Sequence, residues 1–73
     1  MEREATKWTP DSVRDILPNV RVLVDGIERS GFVRGRRSPW ACVHIEGMRP
    51  DVAVMFSWDA VASALNNDRP LLA

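Results

Sequence analysis

The chain has 73 residues, ten basic and ten acidic side chains and a hydrophobic content of 45%, which indicates one globular domain rather than a disordered segment. The charges cancel, so the whole protein has no net attraction to nucleic acid or to an anionic membrane surface. Cys42 is the only cysteine, which excludes an internal disulfide and favours a reducing compartment over an intermolecular bridge, and no apolar run approaches the ~20 residues of a bilayer span. We therefore predict a cytoplasmic protein.

The first predicted element is an N-terminal helix over about 9–17, within a segment 8–18, after a flexible polar tail over 1–7. Its start has an N-cap residue, a proline suited to the first helical position and an acid that complements the helix dipole. These residues are Thr9, Pro10 and Asp11. One apolar stripe follows at helical spacing, formed by Val13, Ile16 and Leu17. Pro18 then ends the helix.

From residue 20 onward, short β-branched runs alternate with turn residues. A first strand ends at Asp25-Gly26, a pair typical of a tight type I′ hairpin turn. A second strand covers Ile27–Arg34, either as one bent strand or as two, with Gly31 marking a bulge or bend. The third strand runs over 40–46 after the turn 35–39. The residues that we expect to point inward are Val20, Val22, Val24, Ala41, Val43 and Ile45.

The C-terminal third contains another strand, a helix and a closing strand. Val52, Val54 and Phe56 alternate as the fourth strand, and Ser57 is a suitable N-cap for a helix over about 58–65. The buried stripe of that helix is predicted to be Trp58, Val61, Ala62 and Leu65. Residues 70–72 form the short last strand. The whole chain, 1–73, is therefore predicted to be a single domain.

The order of these elements resembles an SH3-like barrel of the KOW or Tudor kind over residues 20–73. The matching features are the Val-Arg-Val opening strand, the glycine-bent second strand, the Ala41–Ile45 strand and an apolar strand that runs into a short helix. The resemblance implies a mainly β fold with short helices, either a five-stranded SH3-like barrel or a rolled antiparallel sheet. The tyrosine-containing aromatic cage typical of Tudor domains is not evident.

A basic tract is the first candidate for function. No acid occurs between Glu28 and Glu46, and the turn within that interval combines arginines, a glycine and a tryptophan. Arginine matches phosphate geometry and tryptophan can stack on a base, so we expect contact with nucleic acid or with a protein partner. The alternative is a solvated loop whose arginines pair with carboxylates elsewhere. The candidate binding residues are Arg29, Arg34, Arg36, Arg37 and Trp40.

The second candidate is an apolar face of the sheet opposite the predicted core. Apolar residues on such a face need a cover, which could be the N-terminal helix, a second copy or a different protein. Cover by the helix is slightly favoured, and a homo-oligomer is the main alternative. The candidate interface residues are Leu23, Trp40, Cys42, His44 and Met55.

Enzyme chemistry has little support in the residue pattern. Cys42 and His44 face the same way, but the chain has no further Cys or His to complete a metal site or an evident group to orient a catalytic pair. The layout also resembles type II dihydrofolate reductase, a tetrameric SH3-like barrel with a Val-Gln-Ile-Tyr motif. The nearest segment, 54–57, lacks that glutamine and tyrosine. We therefore expect a non-enzymatic binding module without metal or cofactor.

Overall fold

The structure is a computed structural model that describes residues 7–73. The predicted tail over 1–7 lies outside the described residues except for Lys7. The two helices are α1 (Pro10–Ile16) and α2 (Trp58–Asn66). The five strands are β1 (Asn19–Val24), β2 (Ile27–Arg34), β3 (Ala41–Ile45), β4 (Val54–Phe56) and β5 (Leu71–Leu72). The prediction of a mainly β domain with one N-terminal helix and one helix before the last strand is confirmed.

The strands form one curled sheet, a half-barrel, in the order β4-β3-β2-β1-β5. β1 to β4 follow one another as an antiparallel meander, whereas β5 pairs with β1 in parallel. A parallel pair needs a crossover connection, and α2 lies within that connection. The sheet is therefore mixed rather than wholly antiparallel, because the chain crosses from β4 at one edge to β5 at the other.

The hairpin between β1 and β2 has the predicted tight turn. Asp25 and Gly26 both have positive φ angles, 51° and 78°, as the two central residues of a type I′ turn require. β1 pairs with β2 along its whole length, from Asn19 opposite Phe32 to Val24 opposite Ile27. This turn therefore sets the register that decides which residues of both strands face the core.

β2 is one continuous strand, and Gly31 makes no bulge in it. Gly31 pairs in register with Val20 on one side and with Ile45 on the other. A Cβ atom at this position would lie 2.8 Å from methyl carbons of both Val22 and Val43. The glycine is therefore needed because neighbouring strands crowd the inner face, and the bulge that the sequence offered as one explanation is absent.

The core lies on the concave side of the sheet, where both helices pack. Its buried members are Val13, Val20, Val22, Val33, Ala41, Val43, Ile45, Trp58, Val61, Ala62 and Leu71. Val24 and Leu65, both predicted to face inward, pack against this cluster half-buried. The indole N–H of Trp58 donates to the carbonyl oxygen of Ser38 at 3.1 Å, which fastens the β2–β3 turn to α2.

Helix α1 begins as predicted but buries a narrower stripe. The Thr9 side chain accepts from the backbone N–H of Ser12, and the Ser12 side chain accepts from the N–H of Thr9, a complete capping box. Leu17 takes a left-handed C-cap conformation with φ of 56°. Val13 is fully buried, but Ile16 is 61% exposed. The predicted stripe is wrong at Ile16, the last residue of α1, because this short helix turns Val13 to the core and leaves Ile16 in solvent, while Leu17 packs half-buried against the core.

Candidate nucleic-acid interface

The convex side of the sheet, here called the outer face, holds the residues that alternate with the core. Strand register places Phe32 opposite His44, and Cys42 between Arg34 and Met55. Leu23 lies further along, on β1 beside the exposed Leu72 of β5. The outer face includes Leu23, Phe32, Arg34, Cys42, His44 and Met55. The alternation predicted for β3 is confirmed, since Ala41, Val43 and Ile45 are buried while Cys42 and His44 are not.

Helix α1 does not cover the outer face, which corrects the favoured expectation. Val13 of α1 belongs to the core cluster together with Trp58 and Val61 of α2, so both helices lie on the concave side. Met55 on the outer face is 58% exposed, and Trp40, which precedes β3, is 53% exposed. Within residues 7–73 the outer face is thus accessible to a ligand or a partner.

The arginines of the basic tract do not form one surface. Arg36 points to the helical side, where its Nε and Nη2 donate to the carbonyl oxygens of Arg14 (3.1 Å) and Asp15 (2.9 Å) near the end of α1. Arg34 lies on the outer face, and Arg37 is exposed in the turn. Arg29 lies away from that turn, with its Nη1 3.5 Å from the carbonyl oxygen of Glu46. The structure therefore separates residues that the sequence groups together.

The arginines of the basic tract do not form ion pairs with carboxylates in the described residues either. Among residues 7–73, ion pairs join Arg21 to Glu28 and Asp68, and Arg49 to Asp51. None of these described pairs includes an arginine at position 29, 34, 36 or 37. The alternative that these arginines pair with carboxylates elsewhere is therefore not observed in residues 7–73. Arg36 instead donates hydrogen bonds to backbone carbonyl groups.

A groove of about 510 Å³ opens on the outer face. Phe32 and His44, which are directly opposite each other on β2 and β3, line it together with the turn after β3. Arg34 lies two residues from Phe32 on the same face. The complete lining is Phe32, Arg34, His44, Ile45, Glu46, Gly47, Met48, Arg49 and Pro50. The groove thus combines aromatic side chains with two guanidinium groups.

Several of these lining residues were not among the candidates from the sequence. Phe32 alternates with the buried Val33 on β2, a signal that places it on the outer face once the strand is continuous. Met48, Arg49 and Pro50 belong to the turn that connects β3 to β4. Their position beside β2 follows from the way this turn folds back, which residue spacing does not encode.

The charge of the groove is modestly positive. Arg34 and Arg49 line it with a single carboxylate, that of Glu46. Arg34 donates one N–H to the carbonyl oxygen of Val33 at 2.9 Å, and a guanidinium group has four further N–H donors. Arg49 lies 3.5 Å from Asp51, but both side chains are largely exposed, so this pair stabilises the fold by only about 0–1 kcal/mol. Asp51 therefore holds the Arg49 guanidinium only weakly.

Cys42 lies beside the groove in apolar and sulfur surroundings. Its Sγ is 3.4 Å from the Sδ of Met55 and 3.9 Å from the carbonyl oxygen of Trp40. In the described part of the chain, no three His, Cys, Asp or Glu side chains come together in a way that could hold a metal ion. The described contacts of the thiol are therefore those of a small packing residue.

Comparisons with known proteins supply no relative for this chain. No family model matches the sequence, and neither a curated protein nor a solved structure matches it. Residues 7–73 also contain no helix with the length and apolar character needed to span a bilayer. A function for the outer face therefore has to follow from the residues on it.

Proposed function

We propose that this chain is a small, non-enzymatic, SH3-like binding module that contacts nucleic acid through the groove of the outer face and the adjoining turn before β3. The observation that supports this proposal is the groove itself, in which Arg34 and Arg49 flank the Phe32–His44 pair. Guanidinium groups bind phosphate oxygens with good geometry, and aromatic side chains stack on bases. The unpaired thiol of Cys42 fits a reducing compartment such as the cytoplasm.

The number of basic contacts sets the expected strength of binding. Arg34 and Arg49 line the groove, and Arg37 is exposed in the adjoining turn. About three phosphate contacts give a slope of roughly −2 to −3 in a plot of log affinity against log salt. The zero net charge of the protein adds no long-range attraction. We therefore expect binding that is weak and local and that depends clearly on these three side chains.

The test is fluorescence anisotropy with labelled DNA and RNA oligonucleotides at 50 and 200 mM salt. Affinity should fall by about 15- to 65-fold between these two conditions. The triple variant Arg34→Ala, Arg37→Ala, Arg49→Ala should lose binding at both. Arg69→Ala is the matched control, because Arg69 is exposed and lies outside the groove. Arg36 is left unchanged because its loss would disturb α1.

Two results would contradict the proposal. One is the absence of binding to any DNA or RNA at 50 mM salt. The other is a triple variant that binds as well as the parent protein. Circular dichroism of each variant shows whether it is folded, so a loss of binding is attributed to the groove only where the spectrum is unchanged.

A second candidate function is association of the outer face with another protein or with a second copy of this chain. The observation that favours it is the exposure of large apolar residues there, above all Met55 at 58% and Leu72 at 72%. Such residues are typical of the centre of an interface. Light scattering across a dilution series tests the homo-oligomer, and Met55→Lys should dissociate it without unfolding the monomer. A monomer at every concentration excludes self-association.

A further inference from the structure

The floor of the groove is aromatic, formed by Phe32 and His44. Binding of phosphate groups alone would not require aromatic side chains there. We infer that the ligand of the groove is a single strand, with an unpaired base stacked on the Phe32–His44 pair and the flanking phosphates bound by Arg34 and Arg49. This inference rests on the proposed function and specifies it. Phe32 is then the side chain through which the groove selects single-stranded nucleic acid.

The position of the aromatic pair supports base stacking. Phe32 and His44 are direct cross-strand partners, so their Cβ atoms lie about 4.5–5.5 Å apart and their rings are neighbours. Both side chains are half-buried and line the groove, so the two rings lie at its surface and are not part of the core. Each of the four bases has a flat π face that can stack on such a surface.

The walls of the groove favour an unpaired base over a duplex. Met48 and Pro50 belong to the turn that borders the floor, which makes the site concave. A duplex presents phosphates and the edges of stacked bases, whereas its base faces are covered by their neighbours. Only an unstacked base can enter the groove and place its face on Phe32 and His44.

The arginines are placed to bind the backbone on either side of such a base. Arg34 follows Phe32 by two residues on β2, which is about 7 Å along the strand. Arg49 lies in the turn that closes the groove beyond His44. Phosphates that flank the stacked base can therefore reach one guanidinium each, in line with the phosphate-and-stacking pattern of single-strand binding sites.

The experiment compares a labelled 12-nucleotide single strand of mixed sequence with the same strand annealed to its complement, both at 50 mM salt. The parent protein should bind the single strand at least about tenfold more tightly. Phe32→Leu, which removes the ring and keeps an apolar side chain, should weaken single-strand binding by about 5- to 100-fold. Phe32→Tyr should restore it to within about threefold. Phe56→Leu, the same change on the inner face, should leave it unchanged.

A covalent readout tests the stacking without any variant. An oligonucleotide with 5-iodouracil cross-links to an aromatic side chain in contact with the base, and trypsin releases residues 30–34 as one peptide that contains Phe32. We expect the cross-link on that peptide. Equal affinity for the duplex, no effect of Phe32→Leu and no cross-link there would overturn the inference, while the salt and arginine effects would still support the proposed function. Absence of all nucleic-acid binding would overturn both.

Discussion

At the scale of single residues, the arginines of one basic tract have different roles. Arg36 donates two hydrogen bonds to carbonyl groups near the C-terminal end of α1. These carbonyls have no partner within the helix and lie at the negative end of its dipole, where a cation is favourable. Arg37 is its neighbour in sequence and is exposed. Of these two adjacent arginines, Arg36 thus stabilises the fold, and Arg37 is available to contact a ligand.

We predict that Arg36→Ala lowers the free energy of unfolding by about 0.5–1.5 kcal/mol, because two exposed charge-assisted hydrogen bonds are lost. Arg37→Ala should change it by less than about 0.5 kcal/mol, as is usual for a surface position. Urea denaturation followed by circular dichroism measures both. Equal effects of the two substitutions would mean that the contacts with Arg14 and Asp15 do not stabilise the fold.

The tight packing of neighbouring strands around Gly31 can be tested by substitution. Gly31→Ala should destabilise the protein by about 1–3 kcal/mol, since the new methyl group meets Val22 and Val43 at 2.8 Å and forces them apart. Gly26→Asn is the control, because asparagine tolerates positive φ and an added Cβ there has nothing within 4 Å. Chemical denaturation compares the two. A stable Gly31→Ala protein would show that the inner face has room to adjust.

At the scale of elements, α1 is too short to be stable alone and depends on α2. A helix of seven residues is far below the length at which isolated helices form in water. Its start is tied to the end of α2 by two hydrogen bonds between the Trp8 backbone and the Asn66 side chain, at 2.7 and 2.8 Å. The Arg14 guanidinium lies 5.1 Å from the centroid of the Trp58 ring, a cation–π contact.

Asn66→Ala should therefore loosen α1 while the sheet stays folded. We expect faster amide hydrogen exchange in residues 13–17 and little change in β2 and β3, because local opening of a weakly held element precedes global unfolding. Asn19→Ala is the matched control, since Asn19 is exposed on the outer side of β1. Uniformly faster exchange across the whole protein would contradict this separation of the helix from the sheet.

The elements that sequence reasoning predicted well are those specified by local chemistry. Thr9 and Ser57 cap helices, Asp25-Gly26 makes the hairpin, and the β3 alternation has the predicted faces. Each depends on residues a few positions apart. To predict that Phe32 lies on the outer face, one has to know that β2 is a single continuous strand. To predict that Arg49 lies near Phe32, one has to know how the turn after β3 folds. Those depend on tertiary packing, so the groove was not among the sequence predictions although its strands were.

At the scale of the whole molecule, one core joins all the elements. Val13 of α1, the inner residues of the sheet and Trp58 of α2 belong to the same cluster. We therefore predict a single cooperative unfolding transition with a free energy of about 4–11 kcal/mol for a domain of this size. Circular dichroism and tryptophan fluorescence should give coincident curves. Curves that separate, or a midpoint that rises with protein concentration, would indicate an intermediate or self-association.

The parallel pairing of β5 with β1 also bears on the order of folding. The meander from β1 to β4 closes through short turns, whereas Leu71 reaches Val22 only after the whole meander and α2 have been passed. Contacts between distant residues carry the larger loop-closure cost and form late. Leu71→Ala should thus speed unfolding and leave the folding rate nearly unchanged, which stopped-flow kinetics measures. An equal slowing of folding would place β5 in the folding nucleus.

Because β5 is held to the sheet by only two paired residues, we expect it to detach more easily than the other strands. β5 has two residues and protects one edge of the half-barrel by pairing with Val22 and Leu23. When it detaches, β1 presents an unpaired, valine-rich edge of six residues, which is a template for a strand from another molecule. The short strand β5 thus shields this edge of the sheet from pairing with a strand of another molecule.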